Sequence, residues 1–179
     1  MDHHALTPRI DVKAFAKAKT HLNGALPLHQ LERLSQDCVG DVSAVVTWAA
    51  QGDMRPTATG AEAAWLHLRA QARVPLTCQR CLGEVALSVQ VDQDFRFVAD
   101  EATALAEDDD AQEDLLVISR DFDLVGLVED ELLMALPIVP MHASCVSEGV
   151  LTSQAPTDAL AEEKPHPFAA LASLKLRKE

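Results

Sequence analysis

A chain of 179 residues that is 48% hydrophobic but only 4% aromatic, with no tyrosine, can build one good core but is poorly supplied with side chains that stack on nucleic-acid bases. Its net charge of −13 works against general attraction to phosphate, and no apolar run approaches the ~20 residues of a membrane helix. The opening "MDHHALTPRI" lacks the apolar stretch of a secretory signal, so a cytoplasmic protein is expected, in which four cysteines read as free thiols or metal ligands rather than disulfides.

In chain order, the first twenty residues are mildly basic, with Arg9, Lys13, Lys17 and Lys19 against Asp2 and Asp11. Leu28, Leu31 and Leu34 recur at helical spacing and predict a short amphipathic helix over 27–37. "VSAVVTW" reads as a strand. "WLHLRAQARV" alternates strictly, with Leu66, Leu68, Ala70, Ala72 and Val74 on one face and His67, Arg69, Gln71 and Arg73 on the other. "VALSVQVDQDFRFV" repeats the pattern through Val85, Leu87, Val89, Val91, Phe95 and Phe97. Two long antiparallel strands therefore meet at "TCQRCLGE". Next, "ADEATALAEDDDAQED" reads as an acidic, mobile connection leading to a short strand "LLVI". Asp121 or Asp123 can cap a helix that buries Leu124, Leu127, Val128, Leu132 and Leu136 and stops at Pro137, with Glu129, Asp130 and Glu131 mostly on the opposite face. Residues 148–163 are a linker by composition, and 164–179 recover helical spacing through Phe168, Leu171 and Leu174. The expected division is a single domain over 1–147, the linker, and a C-terminal docking helix over 164–179.

The fold class expected is α+β: a mainly antiparallel sheet, able to curl towards a barrel, with the Leu124–Leu136 helix packed on it and a short C-terminal helix. Charge is unevenly placed. From Asp92 to Glu131 there are fifteen Asp or Glu against Arg96 and Arg120, while the rest of the chain is neutral. Such a block is either a solvated face or a surface for a basic partner. Phosphate-cradling glycine loops and a Ser, His and Asp set are both lacking in the sequence.

Cys78 and Cys81 form a C-x-x-C that could be a metal knuckle, a redox pair or plain turn cysteines. The β periodicity on both sides leaves no helix N-terminus to activate a thiolate, which disfavours the redox role. His142 and Cys145 add a second pair with ligand spacing, 61 residues after Cys81. Together the four could close a tetrahedral zinc site, provided the two pairs meet in space. Cys38 reads as a small buried residue, and His67 and His166 as surface or packing histidines.

Three separated stretches, "LTCQRCLGEV", "DLVGLVEDELLMALPIVPMHASC" and "KPHPFAALASLK", resemble the YceD family of large ribosomal RNA subunit accumulation proteins. The resemblance runs from near Arg9 to Lys178 and is loose at the N-terminal end. It implies a non-enzymatic protein needed for accumulation or processing of large-subunit rRNA, often encoded beside a small ribosomal protein. Set beside the acidic block, it leads to an expectation of basic ribosomal or assembly proteins as partners. These would be met by Glu129, Asp130 and Glu131 and by the stripe Phe168, Leu171 and Leu174. The alternative is direct rRNA binding through Arg69, Arg73 and Arg80 near the cysteine turn. No residue constellation supports a nuclease or a thiol oxidoreductase.

Overall fold

The structure, a computed structural model, describes residues 8–57 and 60–145. Its frame is a five-stranded sheet in the order β2-β3-β4-β5-β6, built from β2 (His21–Pro27), β3 (Val45–Pro56), β4 (Glu62–Thr77), β5 (Glu84–Val98) and β6 (Asp114–Val117). Pairing is antiparallel from β2 to β5, and β6 joins β5 in parallel. A separate two-stranded ribbon pairs β1 (Arg9–Ile10) with β7 (Phe122–Asp123). The sheet is open: its edge strands β2 and β6 do not pair, so the barrel-like curl is not closed. The two edges also differ in direction and length, β6 having only four residues, which leaves little to zip together.

The alternation in β4 and β5 decides which face is inside. Leu66, Leu68, Ala70, Ala72 and Val74 are all buried, as are Val89, Val91 and Phe95 opposite them. Helices α1 (Val12–Lys17), α2 (Glu32–Gln36) and α4 (Leu124–Met134) lie against this sheet or one another. Val12, Phe15 and Ala16 turn inward from α1, and Leu124, Leu127, Val128 and Leu132 from α4. At Gly52 a Cβ would come within 2.6 Å of the Phe15 ring and 2.8 Å of its carbonyl oxygen, so α1 sits this close to β3 only because no side chain stands there.

Two expected elements differ. The 27–37 helix is split into a 3-10 turn (Leu28–Gln30) and α2, with Leu31 extended between them; Leu28, Leu31 and Leu34 are nevertheless all buried. The acidic connection is ordered into α3 (Glu101–Glu107) and a 3-10 turn (Asp108–Asp110). Asp100 caps α3 by accepting from the Thr103 amide at 2.8 Å. Arg96 then ties the segment to the sheet through Glu107 (2.6 Å) and Glu113 (2.5 Å). The expected linker and C-terminal helix lie outside the described residues.

Candidate functional site

The turn between β4 and β5 is built to hold two sulfurs. The Cys78 amide donates to the Gly83 carbonyl at 2.8 Å and the Leu82 amide to the Cys78 carbonyl at 2.9 Å. Leu82 takes φ = 60°, a left-handed conformation that reverses the chain in so few residues. The segment after α4 is drawn to this turn by the Gln79 amide, which donates to the Pro140 carbonyl at 2.9 Å. That contact brings His142 and Cys145 to Cys78 and Cys81, so the two sequence pairs meet.

All four donor atoms lie within 4.8 Å of one another. The Cys78 and Cys145 sulfurs are 3.5 Å apart, and His142 Nδ1 is 3.4 Å from the Cys81 sulfur and 3.7 Å from that of Cys145. Zinc–sulfur bonds of about 2.3 Å and zinc–nitrogen bonds of about 2.0 Å give tetrahedral edges of roughly 3.5 to 3.8 Å. His142 Nε2 donates to the Glu84 carbonyl at 2.9 Å. A carbonyl can only accept, so Nε2 carries a proton, which in the neutral imidazole leaves the Nδ1 lone pair facing the sulfurs. Burial pushes the Cys78 thiol up, but the amides of Cys81, His142 and Arg80, together with the Cys145 thiol, outweigh it and bring it down to about 5. Cys145 is pushed up by burial and by the neighbouring Cys78 and Cys81 sulfurs. One thiolate is thus ready-made and the others crowd it, a donor set that fits a soft divalent cation. Cys38 stays apart, packed on the core with its sulfur 3.2 Å from the Leu34 carbonyl.

The outer face of the sheet places the arginines of the rRNA alternative. Arg69 lies 3.2 Å from Asp92. His67 bridges Asp94 (2.9 Å) and Asp92 (3.3 Å), and Arg55, stacked 5.0 Å over the Trp65 ring, reaches Asp94 at 3.2 Å. Arg55 and Arg69 each meet a carboxylate here, so Arg69 carries little free charge. Arg73 and Arg80 are exposed.

On α4, Glu129 is 8% exposed and turned inward, not set on an acidic surface. It accepts from the amides of Arg33 (2.7 Å) and Leu34 (3.1 Å) at the start of α2 and from Arg33 Nε at 3.1 Å. Asp130 also pairs with Arg33. Glu131 is partly exposed, its pKa raised by burial and by Asp114 and Asp130. Arg33, unremarked in the sequence, makes this a two-carboxylate clamp; its partner lies 96 residues away, and no local signal announces it. Phe168, Leu171, Leu174 and His166 lie outside the described residues.

Among known proteins, the family described as large ribosomal RNA subunit accumulation protein YceD matches residues 66–175. A protein of that name from Haemophilus influenzae is 35% identical over 158 residues, covering 85% of this chain and 86% of its own length. No solved structure matches. The matched family region includes both halves of the thiol-imidazole cluster.

Proposed function

The chain belongs to the YceD family of large ribosomal RNA subunit accumulation proteins, and from that premise we propose that it is a non-enzymatic cytoplasmic factor that supports large-subunit rRNA accumulation by holding basic ribosomal or assembly proteins. The observation that carries the reading is the segment 100–114. It sets eight carboxylates at one edge of the sheet, and among the described residues the only cation paired to them is the buried Arg96. α3 buries none of its residues and leaves Leu105 82% exposed. An acidic element with an uncovered leucine suits a basic polypeptide that also brings apolar contacts. Asp130, Glu131 and the C-terminal Phe168, Leu171 and Leu174 extend this assignment, with Glu129 reserved for the fold.

Cys78, Cys81, His142 and Cys145 would hold one zinc ion. Four protein ligands leave no open position for water, so such a site staples the β4–β5 turn to the segment after α4 and performs no hydrolysis. Leu82 and Ile138, on the two stapled segments, are 76% and 100% exposed, and they offer further apolar contact to a protein partner.

The test is affinity purification of the full chain with and without nuclease. Basic proteins of the large subunit that remain after nuclease support the reading. Loss of every partner on nuclease treatment would overturn it.

A further inference from the structure

Of the eleven lysines and arginines among the described residues, six are ion-paired and five are not. Arg9, Lys19, Arg33, Arg55, Arg69 and Arg96 each sit on a carboxylate. Lys13, Lys17, Arg73, Arg80 and Arg120 have no ion pair among the described residues, and of these Lys13, Lys17 and Arg120 line one concavity of about 580 Å³ with Asp11, Ala14, Ile118 and Ser119. In a chain with 28 acidic and 15 basic residues, three unpaired cations around one hollow run against the overall charge.

The fold holds them there. The Val12 amide donates to the Ser119 carbonyl at 3.1 Å, pinning α1 to the loop that carries Arg120. Lys13 and Lys17 are one helical turn apart, about 6 Å along the axis, where like charges oppose each other. The nearby acids are engaged elsewhere: Asp11 accepts from the Ala14 amide at 3.0 Å, and Asp121 pairs with Arg9 at 3.0 Å. Ser119 Oγ accepts from the Asp121 amide at 3.0 Å, which leaves its hydroxyl proton free to donate.

Resting on the ribosomal reading above, we infer that this concavity is a contact site for the phosphate backbone of large-subunit rRNA, with Lys13, Lys17 and Arg120 each meeting a phosphate and Ser119 donating to a phosphate oxygen. A polyanion with evenly repeated charge engages three spaced cations at once, and the counterions it releases drive binding without base stacking. That suits a chain with 4% aromatic residues. The acidic segment enters β6 at Asp114 and the basic hollow lies beyond its other end, so one short strand separates a surface for basic protein from one for RNA.

The test titrates the full chain into a labelled transcript of a large-subunit rRNA fragment across a KCl series, with poly-glutamate as a second polyanion and inorganic phosphate as competitor. The Lys13→Gln, Lys17→Gln, Arg120→Gln triple variant is expected to lose at least ~10-fold in affinity and about 2 to 3 in the slope of log K against log salt. An Arg73→Gln, Arg80→Gln variant should match the native protein. Should the triple variant lose its native melting temperature, Arg120→Gln alone decides, with an expected slope loss of about 1. An unchanged slope, equal binding of poly-glutamate, or displacement by phosphate beyond its ionic-strength effect would each overturn the assignment. Nuclease-resistant protein partners are scored on the same triple variant. If native protein keeps those partners but shows no RNA binding, this inference fails and the protein-partner reading stands. RNA binding that depends on the three cations, with every partner lost to nuclease, gives the reverse.

Discussion

Glu129 lies in an acidic triplet, but it is three residues before Leu132 and so borders the buried stripe of α4. Its carboxylate does the work of an N-cap for α2, whose own N-terminal flank, Leu31, has no side chain able to accept. Glu129→Ala is therefore expected to cost about 2 to 3 kcal/mol by orphaning two amides, measured by urea unfolding. A cost within experimental error would show that water replaces the cap. Glu131 behaves in the opposite sense. Its folded pKa is raised by burial and by Asp114 and Asp130, so the folded state holds its proton more tightly than the unfolded chain does. Stability must then fall as pH rises from the ordinary glutamate range through that raised value. Glu131→Gln removes the loss, so its melting temperature should exceed that of the native protein at about pH 7 and converge with it at about pH 4. A gap that does not change with pH would contradict the assignment.

At the scale of elements, the pattern of period two and period 3.6 was enough to place β4, β5, α4 and most of their buried faces, because each presents one face to a single core. Leu87 and Leu136 are only half-buried, and α4 ends at Met134, before Leu136. Leu132 is fully buried, and Leu132→Ala should cost about 2 to 5 kcal/mol in the same unfolding experiment. α3 was not legible: its composition is that of a disordered segment, and its order comes from Asp100 and from Arg96, a side chain buried on a neighbouring strand. The thiol-imidazole site was legible as ligand types and spacing but not as a site. What joins its halves is a backbone hydrogen bond, Gln79 to Pro140, between residues chosen for no visible reason. Purified native protein is expected to carry close to one zinc per chain, to give a tetrahedral thiolate spectrum with cobalt, and to melt lower after chelation. Cys145→Ser should weaken all three. Protein free of zinc whose melting is indifferent to chelator would leave the cluster as packing alone.

For the whole molecule, sequence order shows where charge lies along the chain, but only the fold shows which charges remain uncancelled. Asp92 and Asp94 belong to the acidic block by sequence, yet they are spent on Arg69, His67 and Arg55 across the sheet. Asp108, Asp109 and Asp110 are exposed, and the ion pairs of the described residues do not include them. With Asp100, Glu101 and Asp114 beside them, exposed and likewise outside those ion pairs, these three are the densest part of the block that can act at a distance. Screening limits that action to about 10 Å at 0.1 M salt, so their effect belongs to the approach of a partner more than to the finished complex. Asp108→Asn, Asp109→Asn, Asp110→Asn is expected to leave the melting temperature within about 2 °C of native, since no buried contact is lost. Its association rate with a basic partner recovered after nuclease treatment should fall roughly 3- to 10-fold at low salt, with little change in dissociation. Raising the salt should bring native and variant rates together, because both then lose the same long-range attraction. Stopped-flow association at two ionic strengths makes the comparison directly. Equal rates at low salt would mean that the triplet is only a solvated turn and that capture depends on contacts elsewhere.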